Sequence, residues 1–414
     1  MSVEVRPLGV QCNIRCQYCY QNPQRDAGNQ ERLYDLELIK DAVRVEGGPF
    51  SLFGGEPLLV PSRDLEDLWA WGFERFGRNG VQTNGSLIRD EHIELFKRYR
   101  VNVGISIDGP DELNDVRWNG TLERTREATR RTEQAIERLC TEGIVPSLII
   151  TLHRGNALPP RLARLCAWVQ YLEARGVRSV RLHLLESESA AIRERYGLTA
   201  AENIEALAAF RRLEKGLRHL RIDLFRDMRN MLLGRDQEVT CIWTGCDPYT
   251  TAAVRGIEGH GQRSNCGRTN KDGIDYGKAD MVGRERYLAL YQTPQEENGC
   301  RGCRFFLMCK GNCPGTAVDG DWRNRTEHCE VWKSVYETIE AELIGQGQTP
   351  LSVHPIRAEL ERTHLEAWAG GSRTTMAAEL KKRQPASKPA VPIAELFSAI
   401  RSDLEKLKRC APKR

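Results

Sequence analysis

Along the first half of the chain, short runs of apolar and β-branched residues alternate with longer stretches whose apolar positions recur at helical spacing. The pattern predicts strands over Val3–Leu8, Phe50–Phe53, Gly80–Thr83, Asn102–Ile107, Val145–Leu152 and Ser179–Leu185. It predicts helices near Asp35–Val45, Asp64–Phe76, Asp90–Tyr99, Glu123–Glu142 and Pro160–Arg175. Six such alternations imply an α/β fold with parallel strands and right-handed crossovers. Residues 187–235 read as largely helical, and 331–345 as an amphipathic helix. From 346 onward the pattern is interrupted by G-Q-G-Q-T-P, by Gly370-Gly371-Ser372 and by Q-P-A-S-K-P-A-V-P. Two helical pieces lie among these breaks, the last over Ile393–Leu407. This tail reads as a mobile or docking extension. No internal repeat is visible.

Composition narrows the field. A chain of 414 residues with 40% hydrophobic content supports two or three domains with real cores. No run of 18 apolar residues suggests a membrane span. Basic and acidic side chains number 61 and 57 and are interspersed, so charge does not imply a nucleic-acid partner. Residues 1–11 lack the apolar core of a signal peptide. A cytoplasmic location is therefore expected, where 14 cysteines imply metal or redox chemistry rather than disulfides.

The first chemical signal is C-N-I-R-C-Q-Y-C, which places Cys12, Cys16 and Cys19 together with no further cysteine until Cys140. Thiolates are soft ligands that suit iron–sulfur clusters and zinc. Structural zinc wants four protein ligands, whereas a 4Fe–4S cube held by three leaves one iron open. Residues 51–57, S-L-F-G-G-E-P, run a short strand into Gly54, Gly55, Glu56 and Pro57. Two glycines allow close backbone approach to a ligand, and Glu56 offers an acceptor for an ammonium group. Alone, Gly-Gly marks a turn. Together the two motifs resemble the radical S-adenosylmethionine (SAM) enzymes. The resemblance implies a cluster whose open iron chelates the amino and carboxylate groups of SAM, with the Gly-Gly-Glu-Pro strand end at the same amino group. Tyr18, before the third cysteine, also fits that family. So does the strand–helix period, which matches its partial (β/α)6, TIM-like barrel with chemistry at the carboxyl ends of the strands.

Eight more cysteines crowd into residues 241–329: Cys241, Cys246, Cys266, Cys300, Cys303, Cys309, Cys313 and Cys329. With Gly261, their spacing resembles the SPASM domain, a C-terminal extension of radical SAM enzymes. By that resemblance Cys241, Cys246, Cys266 and Cys313 hold one auxiliary 4Fe–4S cluster, and Cys300, Cys303, Cys309 and Cys329 a second. The spacing alone gives only the count, and Cys300-x2-Cys303 is equally a zinc knuckle. Cys140, Cys166 and Cys410 lie outside every motif; the first two read as core residues or free thiols. The expected domains are a radical SAM barrel with bridging helices over 1–235, a two-cluster SPASM domain over 236–345 and a helical extension over 346–414.

Other strand ends carry candidates for SAM or substrate contact by the same resemblance. Ser106 is foremost, followed by Gln82, Asn84 and Asp108, while the bidentate fork of Arg117 suits the SAM carboxylate. Glu186 ends the sixth strand toward the barrel mouth. No catalytic base can be assigned. The implied chemistry is reductive cleavage of SAM to a 5′-deoxyadenosyl radical that removes hydrogen from an unactivated carbon. Two fully ligated further clusters favour electron transfer. Since SPASM enzymes mostly act on peptides, the expected function is oxidative crosslinking of a ribosomal precursor peptide. The expected partners are a flavodoxin or ferredoxin as electron donor and, since only eleven residues precede Cys12, a separate leader-binding protein or a groove on this chain. The alternatives are an anaerobic sulfatase-maturing enzyme that forms formylglycine and a non-catalytic zinc scaffold.

Overall fold

The computed structural model describes residues 2–28, 33–187, 189–240, 243, 246, 254–269, 284–372 and 374–383. Among the described residues, nine strands form one sheet: β1 (Ser2–Arg6), β2 (Phe50–Leu52), β3 (Asn79–Thr83), β4 (Val101–Ser106), β5 (Ser147–Leu152), β6 (Ser179–Leu184), β7 (Arg221–Ile222), β8 (Val254–Glu258) and β9 (Arg263–Ser264). Their spatial order is β7-β6-β5-β4-β3-β2-β1-β8-β9, and every neighbouring pair is parallel except β8 with β9. Helices Leu36–Glu46, Ser62–Phe76, Asp90–Arg98, Leu122–Thr141 and Arg161–Arg175 connect β1 through β6. Each strand or helix lies within two residues of its expectation.

Alternation along the strands divides outer from inner positions. On β5, Leu148, Ile150 and Leu152 are buried in the hydrophobic core, while Ile149 and Thr151 line a cavity inside the sheet. On β6, Val180, Leu182 and Leu184 are buried and Arg181 and His183 alternate with them toward the cavity. The outer helices bring Leu65, Leu68, Trp69, Ile136, Leu165 and Val169 to the same core. Each such fully buried aliphatic or aromatic side chain contributes about 1.5–3 kcal/mol of transfer free energy. The first crossover helix is set by Asp35, whose carboxylate accepts from the Glu37 and Leu38 N–H groups.

Three strands go beyond the sequence expectation. β7 is only two residues long, and β8 and β9 lie within the cysteine-rich segment. β8 adds to the far side of β1 in parallel, with Val3 opposite Arg255 and Val5 opposite Ile257. The Arg6–Glu258 ion pair ties the two strands, with Nη2 2.6 Å and Nε 2.9 Å from Glu258 Oε1, and the same Nη2 donates to the Asn265 carbonyl at 2.6 Å. The sheet therefore crosses the boundary expected at 235/236. Gly261 turns the chain between β8 and β9 at φ +78°, and a Cβ there would stand 2.7 Å from the Leu38 carbonyl oxygen. Its place in the cysteine pattern follows from this close turn on the first crossover helix.

As far as residue 383 the tail takes the docked of its two expected forms. Helix Cys329–Gly345 buries Tyr336, Ile339 and Leu343, and Trp243 packs edge-on against Trp332 and Tyr336. Beyond it, helix Arg357–Ala369 buries Leu360 and Trp368, the latter 5.3 Å from the Tyr287 ring. The next helix, Met376–Arg383, is capped by Asp236, whose carboxylate accepts from the Met376 and Ala377 N–H groups. Burial of Leu360, Trp368 and Met376 fixes this stretch as a docked layer. The helical piece expected over Ile393–Leu407 lies outside the described residues. Among the described residues, no helix is long and apolar enough to cross a membrane.

Candidate functional site

The loop after β1 carries Cys12, Cys16 and Cys19 and is held on two sides. Gly9 and Gln11 carbonyls accept from the Gly55 and Glu56 N–H groups at 2.9 and 2.8 Å, while Arg15 and Gln17 N–H groups donate to Trp118 and Val116 carbonyls. The glycine pair is explained by this contact. Gly54 has φ +125°, and a Cβ there would lie 2.5 Å from the Gly9 oxygen. A Cβ on Gly55 would lie 2.0 Å from the Gln11 oxygen. The close approach is first of all that of the cysteine loop's own backbone.

All three thiols open onto a cavity of about 340 Å³, together with Tyr18, Gly54, Gly55, Gln82, Asn84, Ser106 and Arg117. Gln82 Nε2 donates to Ser106 Oγ at 2.9 Å, and Asn84 Nδ2 donates to Asn13 Oδ1 at 2.8 Å inside the cysteine loop. Arg117 Nη1 donates to Tyr18 Oη at 3.1 Å, and Tyr18 donates to Asp108 Oδ2 at 2.5 Å. Burial pushes the Cys12 and Cys16 thiols up to about 11 and about 12. A metal ligated here would have to draw a proton from each thiol.

Three expected ligand contacts are not cavity groups. Glu56 is 1% exposed, and its Oε1 accepts from Leu58 N and Thr83 Oγ1 while Oε2 accepts from Asn84 N. With three donors from its own chain it latches the end of β2 to the end of β3. Burial raises its pKa against the pull of those donors. Pro57 is buried as the first residue of a short 3-10 turn. Asp108 is fully buried behind Tyr18, where its Oδ1 accepts from Thr151 N at 3.0 Å. Burial alone would raise Asp108, but His153, Arg117 and Tyr18 together hold it below the ordinary carboxylate range. Asp108 thus fixes Tyr18 rather than a ligand.

The far wall of the same cavity brings Cys246, Cys266 and Cys313 together with Trp243, His183 and Arg268. Cys241 lies outside the described residues. Glu186 pairs with Arg268, a residue of this wall, at 2.9 Å. Elsewhere, Cys300, Cys303, Cys309 and Cys329 surround a small gap walled by Phe305, Trp332 and Tyr336. Burial pushes the Cys300 thiol up to about 12. Among the described residues, no three His, Cys, Asp or Glu side chains close on a single metal ion. The fit to iron–sulfur clusters rests on the donor sets, which are soft thiols in groups facing shared gaps.

One organiser of the cysteine-rich segment carries no motif. Arg286 is fully buried and donates to five carbonyl oxygens, those of Trp322, Lys310, Asn312, Gly311 and Asn324. Its guanidinium fork fixes the turn between Cys309 and Cys313. Replacing it with methionine leaves those carbonyls without their donor, and a loss of about 3 kcal/mol in chemical unfolding is expected. Arg286→Lys should recover only part of that loss, since one ammonium cannot reach five acceptors.

Residues 7–157 match the model of the Radical SAM superfamily. The serine-type anaerobic sulfatase-maturating enzyme of Klebsiella aerogenes is 28% identical over 208 residues, covering 47% of this chain and 49% of that protein. The enzyme of the same description from Bacteroides thetaiotaomicron is 34% identical over 128 residues, covering 27% and 30%. The chain thus matches about half or less of the length of these curated relatives. Among solved structures, native anSMEcpe with bound AdoMet and Cp18Cys peptide aligns with a TM-score of 0.63 at 19% identity, over 83% of this chain and 98% of that one. Streptococcus suis SuiB bound to precursor peptide SuiA aligns with a TM-score of 0.51 at 12% identity, over 79% and 75%. At these identities the likeness is one of fold.

Proposed function

We propose, from the premise that this chain carries a radical SAM domain over residues 7–157, that it is a peptide maturase. In this reading it takes hydrogen from a ribosomally made precursor peptide and installs an oxidative crosslink (carbon–carbon, carbon–oxygen or carbon–sulfur). The observation that carries the reading is the shared cavity. The Cys12–Cys19 loop and the Cys246, Cys266 and Cys313 group face one space of about 340 Å³. A substrate held there lies between the place where hydrogen is removed and a place where an electron can leave.

In this proposal Cys12, Cys16 and Cys19 hold a 4Fe–4S cluster with one iron left for SAM. Cys241, Cys246, Cys266 and Cys313 hold a second cluster, and Cys300, Cys303, Cys309 and Cys329 a third. When bound, these groups supply the one-electron reduction of SAM and an acceptor for the electron left on the substrate. The chain does the rest. The Gly54–Gly55 backbone positions the cysteine loop and forms the cavity edge nearest it. The linked Gln82 and Ser106 side chains present polar groups from neighbouring strands. Asp108 and Arg117 pin the Tyr18 ring in the wall. Ile149, Leu182 and Trp243 line the cavity with apolar surface that excludes water from a reactive intermediate. A flavodoxin or ferredoxin is the proposed electron donor, with a separate protein available to bind the leader.

The second reading, formylglycine formation, is favoured by the sulfatase-maturating relatives. One experiment separates the two. The chain is reconstituted anaerobically with iron and sulfide and given SAM, a reductant and the peptide encoded beside its gene. Loss of two hydrogens with matching 5′-deoxyadenosine, and no reaction with a hydrazide, supports crosslinking. The same mass loss with hydrazide capture, or aldehyde formation on a sulfatase-motif peptide, establishes the second reading. An unchanged peptide mass removes both, and a colourless zinc protein in place of about twelve irons per chain removes the radical chemistry altogether.

A further inference from the structure

Strand β6 sends His183 to the cavity wall, where it is partly buried. Behind the ring stands Arg268, with Nη2 2.8 Å from His183 Nδ1 and Nη1 2.9 Å from Glu186 Oε1. An arginine guanidinium only donates. Nδ1 must therefore accept, and the single ring proton must sit on Nε2. A second proton, on Nδ1, would set N–H against N–H. The ion pair with Glu186 holds the guanidinium in place, and both side chains are largely buried, at 17% and 11% exposed.

We propose that His183 is a substrate-binding residue fixed as a hydrogen-bond donor, offering Nε2–H to a carbonyl or hydroxyl oxygen of the peptide, with Arg268 and Glu186 as its positioning residues. A histidine in a radical cavity invites a role as base, but here its only ring lone pair is already taken. Burial, then Arg268 from the cysteine-rich segment and Arg181 from its own strand, hold the ring well below the ordinary imidazole range; helix Asp223–Leu232, packed on β6, adds Asp223 and Asp227 to the cavity wall, with Asp223 3.3 Å from Arg181. Thr151, its partner on β5, adds no charge. The inference rests on the peptide-modifying reading and adds to it the chemistry by which the cavity grips its substrate.

The test uses the reconstituted holoenzyme and the precursor peptide of the mass assay. His183→Phe keeps a ring and removes the donor, so the peptide KM should rise about five- to tenfold, the scale of one hydrogen bond, at native iron content. His183→Gln places an amide donor near the position of Nε2 and should recover most of that rise. The native KM should stay level from about pH 6 to 8, on either side of the ordinary histidine pKa. An unmoved KM in His183→Phe overturns the role. A native KM that titrates in this range, with the titration lost in His183→Phe, overturns it too and makes the ring a proton carrier. If the native chain modifies the peptide and KM does not respond, this role alone falls. If the native chain leaves the peptide unmodified, the proposed function falls and takes this role with it.

Discussion

Cys16→Ala is expected to abolish SAM cleavage and to lower bound iron from about twelve to about eight atoms per chain, the loss of one cube. The backbone of the loop should survive the change. The Cys16 carbonyl accepts from the Cys19 N–H at 3.1 Å and from Asn22 Nδ2 at 3.0 Å, and neither bond needs the thiol. The side chain is buried among core residues, so alanine leaves a gap only one sulfur in size. A melting temperature near that of the native apoprotein would confirm that ligation, not folding, was lost. Cys140 provides the contrast: it lies near the end of helix Leu122–Thr141, outside both cysteine-lined cavities. Cys140→Ala should keep all its iron and its full 5′-deoxyadenosine yield. If Cys16→Ala keeps both as well, the first cluster has been assigned to the wrong residues.

Gly55→Ala should be almost as damaging without touching a ligand. The added methyl would meet the Gln11 oxygen at 2.0 Å, the Gln11 carbonyl carbon at 2.4 Å and the Val10 oxygen at 2.5 Å. All three are backbone atoms, so no side chain can swing away. Either the strand end or the cysteine loop must move, which breaks the Gly55-to-Gly9 and Glu56-to-Gln11 hydrogen bonds. Overpacking of this kind costs about 1–3 kcal/mol in stability. The larger effect is on geometry, because a shift of about 1 Å in a catalytic loop lowers rates on the order of a hundredfold. Iron analysis with a 5′-deoxyadenosine assay reads both. Gly48→Ala is the matched control, since a methyl there meets nothing within 4 Å. Native iron and native rate in Gly55→Ala would mean that the glycine pair does not hold the loop.

The six strands β1 to β6 were legible because each is a short stretch of apolar and β-branched residues followed by a helical period, a purely local signal. β8 was not, since Val254–Glu258 is short, contains Gly256 and sits within a cysteine pattern that draws the reading toward metal. The cysteines stood out through their spacing, which gives their count, while their grouping came from the resemblance. The direction of a side chain at a strand end was not. Glu56 and Asp108 stand where the pattern puts them, but Thr83, Asn84 and Thr151 turn their carboxylates back between strands. The pairing of His183 with Arg268 joins positions 85 residues apart and leaves no trace in either segment. In the tail, Gly370-Gly371 suggested a linker, whereas the widely spaced Leu360, Trp368 and Met376 decide its packing.

The addition of β8 beside β1 has a consequence during synthesis. Arg6 and Glu258, which close that pairing, are 252 residues apart in the chain. At a translation rate of about 5–20 residues per second, the first strand to emerge waits on the order of 10–50 s for its second neighbour. Through that interval one edge of β1 displays unpaired N–H and C=O groups beside Val3 and Val5, a template on which another nascent chain can add a strand. The period of greatest aggregation risk for this protein thus falls on the ribosome and closes only when the cysteine-rich segment arrives.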